Sequence, residues 1–81
     1  YGEIYKSVRE SGDVDIITHR QCLIQIHESP ISTVPMYALV LNCKTMNVYK
    51  TLPQAIRWIK NYLRNNSDFI QTVNGEEVSD E

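Results

Sequence analysis

"MYALVLN", residues 36–42, is apolar on both of its sides: Met36, Ala38 and Val40 alternate with Tyr37, Leu39 and Leu41. Successive side chains of a strand point to opposite faces of a sheet, so this stretch reads as an interior strand with both faces covered. "CKTM" (43–46) is short and polar enough to turn, and "NVYKT" (47–51) supplies a short return strand. Residues 36–51 therefore read as a β-hairpin. Directly behind it, "TLPQAIRWIKNYLRNN" (51–66) reads as a helix. Leu52, Ala55, Ile56, Ile59 and Leu63 fall on one stripe, the spacing of a core-facing helix. Thr51 and Gln54 have the spacing of a capping box, and Pro53 sits in the first turn, where its missing N–H costs nothing.

Working outward, "VDIITHRQCLIQIHE" (14–28) is rich in Ile and Val and alternates in part, which predicts a strand over about 16–27. Two prolines in "SPISTVP" (29–35) predict a loop. Ile4, Tyr5 and Val8 lie at helical spacing with Gly12 as a stop, so residues 1–11 predict a short amphipathic helix. "FIQTV" (69–73) predicts a fourth strand; "NG" (74–75) is a turn signal if residues 76–78 return, and the alternative, taken as the expectation, is that residues 76–81 are a frayed acidic tail. The expected fold is α+β, one small domain over residues 1–81: an antiparallel sheet of three to four strands with one long helix on one face and a short N-terminal helix. One helix covers one face of a sheet. The second face of the interior strand then needs the N-terminal helix, a second copy of the chain or another protein, and Tyr37, Leu39 and Leu41 are the candidate self-association residues.

The 81 residues carry a formal net charge of −2, and that average conceals a division. Residues 16–67 hold six basic side chains against the single acid Glu28, whereas the flanks hold Lys6 and Arg9 against nine acids. On the helix, Arg57, Lys60 and Arg64 form a stripe with Asn61 and no acid beside it, although surface helices gain from interleaved opposite charges. Lys44 and Lys50 lie nearby on the hairpin. Trp58 and Tyr62, four residues apart, stand between the core stripe and the basic stripe, and such residues are favoured at interfaces. These seven positions are the candidate binding face for an acidic protein surface or a nucleic acid.

Catalytic and metal chemistry find little support. His19, Cys22, His27 and Cys43 lack any C-x2-C or H-x3-H spacing. Within a single strand His19 and His27 would stand about 26 Å apart at ~3.3 Å per residue. Cys22 and His27 fall on different faces of that strand, the glycines are too scattered for a phosphate loop, and acid pairs sit at breaks and ends. The expectation is no enzyme, no metal and no cofactor. Both cysteines are read as reduced, buried small hydrophobes, with a disulfide between neighbouring strands as the alternative. "NNS" (65–67) matches a glycosylation acceptor, which has meaning only in a secreted protein. No apolar run spans a bilayer, no leader is visible, and two cysteines make no disulfide scaffold, so an intracellular location, cytoplasmic or nuclear, is expected.

The order helix, three strands, helix over about residues 3–66 is similar to that of double-stranded RNA-binding domains. The hairpin followed by "VYKTLPQAI" (48–56) resembles the three-strand-plus-helix DNA-binding domains of phage integrases. The former family places lysines at the start of its second helix; this chain has "TLPQA" there with Lys50 just before, and no site residue carries over. The leading expectation is a non-catalytic interaction module (accessory, regulatory or inhibitory protein, or oligomerisation domain) whose partner is a second copy or another protein. The alternative is a nucleic-acid-binding domain using the basic helix face.

Overall fold

The computed structural model describes residues 1–31 and 33–78. Their order is α1 (Gly2–Ser11), β1 (Asp13–Thr18), β2 (Leu23–Ile31), β3 (Val34–Leu41), β4 (Lys44–Tyr49), α2 (Leu52–Asn65), β5 (Ile70–Val73) and β6 (Glu76–Glu77). The class is α+β, but the sheet is larger than expected: six antiparallel strands in the order β4-β3-β2-β1-β5-β6. It also departs in this from both resembled families.

Both helices pack on the same face of the sheet. Ile4 and Val8 of α1 join Leu52, Ala55, Ile56, Ile59 and Leu63 of α2 over Val14, Ile16, Ile24, Ile26, Leu39 and Val73. The register explains why these meet: Ile16 lies between Ile24 and Val73, and Ile26 between Val14 and Leu39. Strand periodicity sends all of them to one side. α1 ends at Gly12, whose left-handed backbone (φ 79°) returns its N–H to the Val8 carbonyl. Thr51 is the N-cap of α2 with extended backbone angles, as expected, but its hydroxyl makes no capping bond. Among the described residues, no helix is long and apolar enough to cross a membrane.

Three strand-level expectations are corrected. The strand expected over 16–27 is two strands joined by a tight turn at 19–22. Gln21 takes φ 66°, its N–H reaches the Thr18 carbonyl at 2.9 Å, and the Thr18 N–H reaches Cys22. The 26 Å separation of His19 and His27 loses its basis with it. The prolines of the expected 29–35 loop belong to strands, with Pro30 opposite Pro35. The Glu28 N–H points toward Gly12, away from β3, so by alternation the Pro30 nitrogen does too. β1 pairs no further than His27, and β4 no further than Tyr37. The hairpin therefore overhangs its neighbours, and neither proline leaves a partner without a donor. Finally, Glu76 and Glu77 of the expected frayed tail pair with Val73 and Thr72, through a turn at Asn74 and Gly75 in which both have positive φ. Residues 79–81 of that tail lie outside the described residues.

Candidate functional site

With both helices on one side, the other side of the sheet is open. It presents Asp13, Asp15 and Ile17 from β1; Leu23, Gln25 and His27 from β2; Met36, Ala38 and Val40 from β3; and Val48 from β4. Cross-strand pairing arranges them in rows, one of them Asp13–His27–Ala38–Val48 and the next Asp15–Gln25–Val40–Thr45. The β1 half is polar and internally bonded: His27 Nδ1 lies 2.9 Å from Asp13 Oδ1, and Gln25 Nε2 donates to Asp15 Oδ1 at 2.9 Å. The β3–β4 half is apolar. Val34, Val48 and Met46 are 52%, 45% and 43% exposed, beside half-buried Met36, Ala38 and Val40.

This reverses the assignment of the two faces of "MYALVLN". Leu39 is fully buried beneath the helices, and Tyr37 and Leu41 pack partly buried against the same core. Leu39 is not free to meet a second copy, and Tyr37 and Leu41 are turned to the helix side. Alternation showed two apolar faces; which of them the helices take depends on the register with β2, which alternation does not contain. Met36, Ala38, Val40 and Val48 are the residues missed, and the first three were legible as the other face.

The seven positions of the candidate binding face are spread around α2 and the hairpin. Arg57, Lys60, Arg64, Lys44 and Lys50 are exposed. Among the described residues, none of them has a carboxylate within ion-pair distance. The stripe nevertheless diverges. Lys60 leans toward α1, its Nζ 4.7 Å from the centre of the Tyr1 ring, and Arg64 Nη2 donates to Asn61 Oδ1 at 3.3 Å. Arg57 leans the other way and, with Tyr49, Gln54, Trp58 and Asn61, lines a shallow cleft of about 270 Å³ beside β4. Trp58 and Tyr62 stack with ring centres 5.1 Å apart and planes 8° apart, half-buried against the core. They both widen the packed face and form one wall of that flank. Burial pushes the Tyr62 hydroxyl up from its ordinary value, helped by the neighbouring Cys22 thiol and by Asp68.

Lys50 faces a second cleft, of about 480 Å³, with Arg9, Glu28, Tyr37 and the start of α2. The Tyr37 hydroxyl donates to Glu28 Oε2 at 3.4 Å, and burial followed by the Glu28 charge raises its pKa. Cys43 is exposed in the β3–β4 turn rather than buried in a strand; it and Asn42 both have positive φ. Cys22 is half-buried, and both thiols are free. Among the described residues, no group of three or more His, Cys, Asp and Glu could hold a metal ion.

Among the described residues Asp68 is the one nearly buried charged group, and sequence reasoning did not single it out. Its Oδ1 accepts the backbone N–H groups of Phe69 at 2.8 Å and Arg20 at 3.2 Å. The fully buried Thr18 accepts from the Cys22 N–H at 3.0 Å, and its hydroxyl lies beside the Asp68 carboxylate. Burial alone would raise the Asp68 pKa; the bonds from Thr18, Phe69 and Arg20 and the Arg20 charge outweigh it and hold the carboxyl below its usual value.

Compared with protein-family models, curated proteins and solved structures, the chain matches none. Function is therefore argued from geometry alone.

Proposed function

We propose that this chain is a non-catalytic protein-interaction module that self-associates by packing the open sheet face of one copy on that of another. The observation that carries the reading is the apolar β3–β4 half of that face, left uncovered because both helices lie on the opposite side. Two such faces stack about 10 Å apart, as in a β-sandwich, and each copy keeps its own helix layer outside. A two-fold relation brings the same patch to itself, so Val40 and Val48 need no other complement. The bonded Asp13–His27 and Asp15–Gln25 pairs then form the polar rim.

Sedimentation velocity over a concentration series tests this. The expected result is reversible dimer formation, weakened about tenfold or more by Val48→Lys together with Met36→Lys, with the fold intact by circular dichroism. A chain that stays monomeric at the highest concentration, or a double variant that dimerises as well as the parent, refutes it.

The unneutralised cations favour a second reading, nucleic-acid binding through Arg57, Lys60 and Arg64 with Lys44 and Lys50. Each phosphate contact releases counterions, so that binding would fall steeply as salt rises from about 50 to 200 mM. Binding to DNA or RNA that ignores salt, or none at about 50 mM, removes this reading.

A further inference from the structure

We propose that the outer margin of β4 is a strand-addition site for an acidic, extended segment of a partner protein. It lies on the edge of the sheet rather than its face, so it stands or falls independently of self-association.

The sheet has two margins. β6 is two residues long and both are glutamate, too short and too acidic to template another strand. β4 has six residues and, among the described residues, no strand pairs with its outer side. His27 and Gln25 direct their backbone groups to β3, so their partners Ala38 and Val40 are bonded to β2. The β4 partners of those two, Val48 and Thr45, therefore turn their backbone N–H and C=O outward. The Val48 N–H is already held by Asn47 Oδ1 at 2.8 Å, and the register shifts at Met46. Both are devices that discourage indiscriminate edge pairing. They leave the Val48 carbonyl and both groups of Thr45 unused, and exposed edge carbonyls and amides are what strand addition engages.

Charge and shape select the occupant. No acid occurs between Glu28 and Asp68, so β4, the turn before it and the whole of α2 are free of carboxylates. Lys44 stands at one end of β4, Lys50 follows the other, and Arg57 reaches from α2 to the cleft beside Tyr49, the last residue of β4. That spacing covers about 20 Å, the reach of roughly six extended residues. Side chains of an added strand that point toward the helix layer meet the cleft of Tyr49, Trp58 and Arg57; those on the other side continue the patch of Met46 and Val48. A second copy of β4 would bring lysine to lysine. A nucleic acid would satisfy the cations but not the strand-type backbone groups of Thr45 and Val48. An acidic peptide with alternating apolar residues satisfies both.

The test uses the full chain, a terminally blocked heptapeptide alternating Glu and Val, and the fluorescence of Trp58, the only tryptophan. The expected result is saturable binding below about 1 mM with a change in Trp58 emission, weakened about tenfold by Arg57→Glu, and lost in the Lys-for-Glu peptide. Two further peptides carry N-methyl groups on alternate amides, one in each register. Strand addition predicts that one of them loses binding and the other keeps it. Equal binding by both, equal binding by the lysine peptide, or no binding at all overturns the proposal. Displacement of the Glu–Val peptide by an equimolar twelve-nucleotide oligothymidylate or oligouridylate overturns it too, in favour of nucleic acid.

Discussion

Leu39→Ala is expected to remove about 3 kcal/mol of folding stability, a large share of the roughly 4–12 kcal/mol available to a domain of this size. Leu39 is fully buried, pairs with Ile26 and belongs to the core beneath the helix layer, so truncation leaves a cavity there. Its neighbour one position on, Val40, faces away and belongs to the open side. Urea denaturation at a dilution where any dimer has dissociated should show the Leu39 variant's midpoint lowered by roughly 2–3 M, for a slope near 1 kcal/mol/M. Val48→Lys, at an exposed position, should stay within about 0.5 kcal/mol of the parent. The reverse pattern, with Leu39→Ala stable and Val48→Lys unfolded, would mean the helices cover the other face, and the proposed interface would go with it.

Asp68→Ala is expected to cost about 2–3 kcal/mol, because it strands the N–H groups of Phe69 and Arg20 together. The same carboxylate gives the domain an acid limb. Its pKa is held lower in the fold than in the unfolded chain, so ionised Asp68 contributes its full stabilisation above the unfolded value of about 3.9. That contribution is lost as pH falls from there through the depressed folded value. Asp68→Asn should flatten this limb, and its stability deficit against the parent should shrink as the pH drops below about 4. Thermal melts from pH 7 to 2 measure it; a deficit that stays constant over that range would assign the loss to geometry rather than charge.

Elements governed by local chemistry were legible. Helix spacing with a glycine stop found α1, the five-residue stripe found α2, and "NG" marked the β5–β6 turn. What escaped was set by distant residues. The 19–22 turn has no glycine or proline to announce it; it is held by Thr18, by the Phe69 carbonyl that takes the His19 N–H, and by Asp68, far along the chain. Pro30 and Pro35 are compatible with strands only because β1 and β4 stop short of them. Cys43 reads as buried, but it stands exposed in a turn where Asn42 and Cys43 both take positive φ. For the candidate site, residue types and exposure at Arg57, Lys60 and Arg64 were legible, but their divergence around α2 was not. The choice between the faces of β3 needed the register with β2.

Every strand pair in this sheet joins neighbours in sequence except one: Ile16 and Ile17 of β1 meet Val73 and Thr72 of β5 from almost the opposite end of the chain. Hairpins close small loops, whereas this pairing must wait until the intervening chain has been organised. The β5–β6 ribbon is thus expected to dock last and detach first, with the Asp68 turn just before it as the latch. Under stress the molecule would open at that seam while the β2–β3–β4 meander under α2 persists. The proposed association face and peptide edge both belong largely to that meander, so they sit in the part of the molecule that assembles first and lasts longest.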